Sequence, residues 1–309
     1  MALRPFLKWV GGKRQLLPVL RRFYPSHHGT YFEPFLGSGA VFFDLWARGA
    51  INGGGAVLTD DNPDLIGCYQ QLQKSLDSVI AQLEELSREH RARGRDFYWH
   101  VRDERFNPLR LQWHRAGADP GSYPVELAAM LIYLNRTGYN GLFRLNASGV
   151  FNVPPGRYDR PRILNRNLLM NATRALSAGN IRIARAGYAH VINVASSGDF
   201  VYLDPPYAPV SRTANFGAYT GRGFSDVDQE ALQQTVIALA ARGVHVLLSN
   251  STAPVVTALY ERNPDVDGVG LRSWRVPARR AVNSNAAGRG QVEELLVSNV
   301  CPLEAPSPV

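Results

Sequence analysis

The stretch GDFVYLDPPYAP, from Gly198 to Pro209, holds the residues of this chain best arranged for chemistry. A short apolar run, Phe200 to Leu203, stops on Asp204, Pro205, Pro206 and Tyr207. Proline has a fixed φ and no backbone N–H, so two in succession make a stiff exit from a strand. One outcome is an ordinary strand end, with Asp204 in solvent and Tyr207 packed. The other is a rigid pocket presenting a carboxylate, free carbonyls and an aromatic face together. The remaining segments decide between the two.

A second chemical element is FEPFLGSGA, in which a strand runs into Gly37, Ser38 and Gly39 and then into a helix ending near Gly49. Glycines at the carboxyl end of a parallel strand let a ligand approach the backbone. The dinucleotide pattern G-x-G-x-x-G fails because Phe42 takes the last glycine position. A Walker loop fails too, since Arg14 follows GGK and the required upstream glycine is missing. A cofactor with an adenosine part and no phosphates fits better. Glu33 before the turn and Asp60 after the next strand would serve it, Asp60 by accepting from ribose hydroxyls. FLKWVGGK adds Lys8, Trp9 and Lys13 around Gly11 and Gly12.

The elements that carry these groups alternate in type. GGGAVLTD reads as a short strand ending at Asp60. Asn62 is a suitable N-cap with Pro63 at the first helical position. The helix that follows carries Leu65, Tyr69, Leu72, Leu76, Val79, Ile80, Leu83 and Leu86 at helical spacing, which predicts a packing stripe. From about Gly94 the texture becomes aromatic, basic and irregular, with one helix over about Pro124–Leu134. After about Ile181 the α/β rhythm returns. FVYLD, VHVLLSN and VEELLVSN read as strands, and Ser225 caps a helix ending at Gly243. Strands alternating with helices predict a mainly parallel sheet covered on both faces.

Composition narrows the class. The 309 residues are 45% hydrophobic, enough for one main domain with a sizeable insertion. Two cysteines, Cys68 and Cys301, make no disulfide framework and lack metal spacing. The seven histidines show no ligand spacing, so no metal is expected, and the H-x-E with P-C-x-x-C of zinc deaminases is missing. No apolar run of about eighteen residues occurs and the start is no signal peptide, so a cytoplasmic protein without a membrane partner is expected. The net charge of +8 suits a polyanionic partner. Between Leu131 and Met170, six arginines (Arg136, Arg144, Arg157, Arg160, Arg162, Arg166) stand against one acid, Asp159. A second basic stretch runs from Arg272 to Gly290. Each could equally be a solvated surface loop.

FLKWVGGK, YFEPFLGSGAVFF, TDDNPDLI, LNRTGYNGLFRLNASGVFNVPPGRY, YLDPPY and VLLSN follow one another along the chain. In these motifs and their order the chain resembles the DNA adenine methylase (Dam) family over nearly its whole length. D-P-P-Y alone occurs in several amino-methyltransferase families, whereas six motifs in one order are highly specific. Two positions depart from the family pattern: the acidic pair Asp60–Asp61, and the short, small-residue stretch LNASGV.

The resemblance implies an α/β fold, a Rossmann-like, mainly parallel methyltransferase sheet. An inserted, mostly helical DNA-recognition domain with a β-hairpin would span residues 66–180, with 1–65 and 181–309 forming the cofactor-binding catalytic domain. The implied activity is methyl transfer from S-adenosylmethionine to N6 of an adenine flipped from duplex DNA, with GATC the expected site. By the same resemblance Asp204, Pro205, Pro206 and Tyr207 are catalytic. Trp9, Lys13, Glu33, Phe35, Gly37, Ser38, Gly39, Asp60 and Asp204 would bind cofactor. Lys8, Tyr139, Asn140, Leu142, Arg144, Asn146, Pro154 and Arg157 would face DNA. A monomer is expected, and a cognate restriction endonuclease is a compatible partner in the cell. Two other readings share these motifs: an amino-methyltransferase acting on RNA or another substrate, and a DNA-binding relative without catalysis.

Overall fold

A computed structural model describes residues 3–51, 54–208, 224–279 and 291–302. Seven strands form one sheet: β1 (Tyr31–Glu33), β2 (Ala56–Asp60), β3 (Ile181–Arg185), β4 (Phe200–Leu203), β5 (His245–Ser251), β6 (Arg272–Arg279) and β7 (Gln291–Ser298). Their spatial order is β3-β2-β1-β4-β5-β7-β6. The first five are parallel, and β7 runs antiparallel to both β5 and β6. The strand order reverses between β1 and β4, which pair through Tyr31 with Phe200 and Phe32 with Val201. Ligands of open α/β sheets bind beyond the carboxyl ends of strands at such a reversal. The glycine turn after β1 and the Asp204 segment after β4 both emerge there.

The principal helices are α1 (Ala40–Ala47), α2 (Pro63–Lys74), α3 (Leu76–Arg93), α4 (Asn107–Arg115), α5 (Val125–Thr137), α6 (Arg166–Leu176) and α7 (Asp226–Ala241). Asn62 caps α2 by accepting from Asp64 and Leu65 N–H, with Pro63 at the first position. Ser225 and Asp228 make a capping box at α7. The apolar stripe from Leu65 to Leu86 reads as one helix but folds as two. Ser75 leaves helical geometry (φ −139°, ψ 40°) and the chain bends between α2 and α3. Serine competes with helix through local hydrogen bonds, and the bend lets both segments lie against α5.

Strand alternation divides the core. Phe200, Tyr202, Leu247 and Leu296 point to one face, and Val201, Leu203, Val246, Leu248, Leu295 and Val297 to the other. The first face continues without interruption into the inserted segment. Phe6, Phe23, Tyr31 and Phe42 share one buried cluster with Leu83, Phe97, Leu127 and Leu131. The expected hairpin is a loop closed by two isolated bridges, Gly138 with Pro155 and Leu145 with Phe151.

The second basic stretch is corrected by the structure. Arg272–Arg279 is strand β6, with Ser273, Trp274 and Val276 buried and Arg272 and Arg275 exposed. Arg275 forks onto Glu261 at 2.7 and 2.8 Å, so this part is a sheet edge and not a basic patch. Residues 280–290 of that stretch lie outside the described residues. No helix among the described residues is long and apolar enough to cross a membrane.

Gly67 on α2 lies under Tyr123, and a Cβ there would sit 2.3 Å from the ring. Overpacking of this kind costs about 1–3 kcal/mol. Gly67→Ala should therefore lower the urea midpoint with the slope unchanged, as measured by equilibrium denaturation.

Candidate active site

The N-terminal strap brings its lysine to the end of β4. Lys13 is buried, and its Nζ lies 2.7 Å from Asp204 Oδ1 and donates to the Gly11 carbonyl at 2.8 Å. The same ammonium stands 4.6 Å from the centre of the Tyr207 ring. Ser249 Oγ also donates to Asp204 Oδ1, at 3.3 Å, and is itself bonded to the Tyr202 hydroxyl at 2.8 Å. Both partners of Asp204 thus converge on Oδ1. Burial pushes the Asp204 carboxyl up to about 6, against the downward pull of Lys13.

The rest of D-P-P-Y is braced from behind. Tyr207 donates its hydroxyl to Glu294 Oε2 at 2.6 Å. Gln229 Nε2 donates to the Pro206 carbonyl at 3.3 Å, and Gln229 in turn accepts from Asn250 at 2.9 Å. Among the described residues no protein donor reaches the Pro205 carbonyl.

The glycine turn lies next to this segment. Gly37 (φ +47°) and Gly39 (φ +65°) hold left-handed conformations that favour glycine. A Cβ on Gly37 would come within 3.1 Å of the Trp9 indole, and one on Gly12 within 3.3 Å of Ser38 Oγ. Trp9 and the strap therefore close directly over the turn. Asp60 accepts from Gly37 N–H at 3.1 Å and from Asn62 N–H at 3.0 Å, which ties the end of β2 to the turn. Burial raises its carboxyl to about 6. Glu33 accepts from the Tyr31 hydroxyl at 2.9 Å and Phe42 N–H at 3.1 Å. Burial chiefly pushes Glu33 up to about 8, so it carries a proton at neutral pH. Phe35 stacks on Tyr188 at 5.3 Å and meets Phe224 edge-on at 6.1 Å.

This donor set fits S-adenosylmethionine. The turn offers backbone, aromatic faces and three carboxyl groups, and the lysine beside it is already paired. A cationic sulfonium on a phosphate-free nucleoside suits the two carboxylates, Asp60 and Asp204, beside a protonated Glu33, whereas a pyrophosphate would meet them unfavourably.

One buried amide ties together part of the expected DNA-facing set, Lys8 and the turn that carries Tyr139 and Asn140. Asn135 accepts from Lys8 N–H at 2.8 Å and donates to the carbonyls of Lys8 (2.6 Å) and Gly141 (2.8 Å). It joins the strap to the turn Tyr139–Asn140–Gly141, in which Asn140 takes φ +53° and Tyr139 is exposed. Lys8 Nζ lies 4.6 Å over the Tyr158 ring. Trp9 stacks on Phe143 at 5.7 Å. Leu142 is half-buried, and Pro154 and Arg157 are exposed on the same segment. Arg144 is exposed and its guanidinium holds Asn152, Nε to the side-chain oxygen at 2.8 Å and Nη2 to the carbonyl at 3.3 Å. Asn146 points inward on its own loop, accepting from Ser148 and Val150 N–H.

Several site residues escape a reading of the sequence. Tyr188 and Phe224 complete the aromatic group at Phe35. Tyr188 follows the carboxyl end of β3, and that position was its one available signal. Asn135, Gln229 and Glu294 act through partners far away in sequence, so no local pattern marks them.

The five parallel strands with an antiparallel β7, the glycine turn after β1 and D-P-P-Y after β4 are the arrangement that the resemblance to amino-methyltransferases implies. The chain belongs to the D12 class of N6 adenine-specific DNA methyltransferases, whose family model matches residues 9–271. It is 36% identical over 297 residues to a Type II methyltransferase, M1.LlaDCHI, of Lactococcus lactis subsp. cremoris, covering 96% of this chain and 95% of that one. It is 34% identical over 310 residues to the Type II methyltransferase M.MjaIII of Methanocaldococcus jannaschii, covering 97% and 100%. It is 34% identical over 294 residues to the DNA adenine methylase of Escherichia coli, covering 95% and 94%. As a member of this family the protein is an enzyme that uses S-adenosylmethionine and takes DNA as substrate.

The Lys13–Asp204 contact sets a titration. In the free protein the Asp204 carboxyl should titrate near pH 6, read as the difference infrared spectrum between wild type and Asp204→Asn. Lys13→Met removes the cation that favours the ionised form, so the midpoint should move to higher pH.

Proposed function

We propose that the enzyme methylates N6 of an adenine flipped out of duplex DNA, within GATC. The observation that carries this reading is the Lys13 ammonium itself. A cationic, tetrahedral nitrogen rests 2.7 Å from Asp204 and over the Tyr207 ring. Adenine N6 acquires that same character as it attacks a methyl group, because pyramidalisation withdraws its lone pair from the ring. A pocket that accommodates one such nitrogen suits the other.

The roles follow from the donor and acceptor pattern. Asp204 Oδ1 is engaged by Lys13 and Ser249, which makes Oδ2 the acceptor for one N6 hydrogen. The Pro205 carbonyl accepts the second. The two prolines and the Gln229 brace hold both acceptors rigid, so little reorganisation accompanies the rise in charge. Tyr207, anchored at Glu294, supplies the face on which the base stacks. No group needs to deprotonate neutral adenine before transfer. The cofactor supplies an activated methyl on sulfur. Trp9, Lys13, Glu33, Phe35, Gly37, Ser38, Gly39 and Asp60 hold it, Asp60 accepting from ribose hydroxyls.

A paired adenine must leave the helix to reach Asp204, at a cost of a few kcal/mol, roughly. Residues 66–180 act as the recognition segment that offsets this cost, and 1–65 with 181–309 as the catalytic part. Tyr139, exposed on its left-handed turn, stacks beside the vacated position. Lys8 reads the guanine before the target. Arg144 reads the guanine opposite the last cytosine with its fork. Asn140, Leu142, Asn146, Pro154 and Arg157 complete the face toward DNA.

The decisive experiment maps methylated adenines in DNA from an expressing host otherwise free of adenine methylation, with duplex DNA and RNA compared as purified substrates. Methylation confined to RNA, or at sites other than GATC, overturns the corresponding part. Asp204→Ala should abolish transfer while duplex binding stays largely intact, as measured by a filter assay beside turnover. A bidentate Arg–guanine pair contributes about 1–3 kcal/mol of discrimination. Arg144→Ala should therefore relax one position by roughly tenfold or more in rates on duplexes altered at the last base pair. Equal loss on every duplex would make Arg144 a phosphate anchor.

A further inference from the structure

Residues 149–153 return from the tip of the recognition loop. One edge of this segment is paired with the outgoing limb. Asn152 N–H donates to the Arg144 carbonyl at 3.1 Å, and Asn146 N–H to the Val150 carbonyl at 2.9 Å. Backbone groups of alternate residues in an antiparallel pair point to opposite edges. The backbone groups of Phe151 and the carbonyls of Gly149 and Val153 face away, although Gly149 N–H turns back to the Asn146 carbonyl at 2.9 Å, and among the described residues no strand covers them.

Side chains cover them instead. Arg110 Nη1 donates to the Gly149 carbonyl at 2.6 Å. Asn107 accepts from Phe151 N–H at 2.9 Å and donates to its carbonyl at 3.0 Å, as a neighbouring strand would. The Tyr98 hydroxyl and Arg102 Nη1 both donate to the Val153 carbonyl, at 2.8 and 3.1 Å. All four come from one helical rod, α-helical over Asp96–Trp99, π-helical over His100–Phe106 and α-helical again through α4.

The π-helical turn explains the alignment. In an α-helix five residues turn the chain by about 500°, which would place Asn107 well off the face of Arg102. The π form closes hydrogen bonds from i to i+5, and Asn107 N–H indeed bonds to the Arg102 carbonyl. One extra residue per turn returns Asn107 to the face that carries Tyr98, Arg102 and Arg110. The rail is itself anchored. Arg110 pairs with Asp64 at the start of α2 at 2.8 Å, both buried.

The clamped residues flank Asn152, whose side chain and carbonyl hold the Arg144 guanidinium. We propose that Tyr98, Arg102, Asn107 and Arg110 form a rail that sets the position of Arg144 and so the base pair the enzyme discriminates. Asn107 is its central positioning residue, and the assignment rests on Arg144 being a base reader. The π turn is then a register device for specificity, remote from the methyl-transfer site.

Two measurements test it. The first needs no DNA: amide exchange at Phe151 should be slow in wild type and at least about tenfold faster in Asn107→Ala, since that variant removes the acceptor. Unchanged exchange overturns the rail. The second uses duplexes carrying the mapped site and its single-base-pair variants. Asn107→Ala should reduce discrimination at the Arg144-dependent position by about tenfold and raise KM for DNA. Saturated kcat and S-adenosylmethionine affinity should stay within about twofold. In an Arg144→Ala background the same change should leave the discrimination ratio unaltered. Tyr98→Phe, which deletes one hydroxyl, should lower discrimination in the same direction if Asn107→Ala does not fold. Full retention of discrimination, or equal loss on every duplex, overturns the rail. A wild type that methylates no duplex overturns the proposed function instead and leaves the exchange result standing.

Discussion

A carboxylate at the end of a buried strand needs a cation or hydrogen-bond donors to stay charged, and at Asp204 the cation comes from a lysine near the start of the chain. Lys13 reaches Asp204 at 2.7 Å, in surroundings where burial alone favours the protonated acid. The attraction is worth more in this poorly solvated place than it would be at the surface, and losing one partner would strand the other. The strap that delivers the lysine cannot then lie elsewhere. Trp9 is drawn over Gly37 and against Phe143, and Lys8 is drawn to the recognition segment. The ion pair, the Trp9 contacts and the Asn135 bonds together hold the glycine turn, Asp204 and the Tyr139–Gly141 turn against one strap.

The sheet makes that pairing possible. Because β1 and β4 are neighbours, the turn and D-P-P-Y open on the same edge although β2, β3 and the segment between those two strands separate them in sequence. The charges there are graded. Glu33 is neutral at ordinary pH, Asp60 is tied to backbone amides, and Asp204 is balanced by Lys13. A cationic cofactor meets acidity already portioned out by burial, not an unscreened cluster.

Much of this was legible in the residues. Proline and glycine mark backbone constraints by identity alone, so Pro205, Pro206, Gly37 and Gly39 announced the stiff exit and the turn. Asn62 and Ser225 announced helix starts in the same way. The bend at Ser75 was hidden because an apolar stripe of the right period continues across it. Arg272–Arg279 looked like a basic surface because the exposed Arg272 and Arg275 stand among the buried Ser273, Trp274 and Val276, a strand masked by charge. Asn135 and Asn107 carry the least local signal of all. Each is an ordinary polar residue whose work is done by backbone groups brought to it only by tertiary packing.

The buried cluster that runs from the sheet into the inserted segment has an evolutionary consequence. A module that folded alone could be exchanged between enzymes to give new target preferences in one step. Here Leu83, Phe97, Leu127 and Leu131 share their neighbours with Tyr31 and Phe42, so a transplanted segment would leave holes and clashes on the sheet face. Exchange of the whole segment is blocked by that shared core, and even within the loop between Tyr139 and Tyr158 only exposed positions such as Tyr139, Arg144 and Arg157 can vary freely, because Phe143, Phe151 and Val153 belong to the same buried cluster.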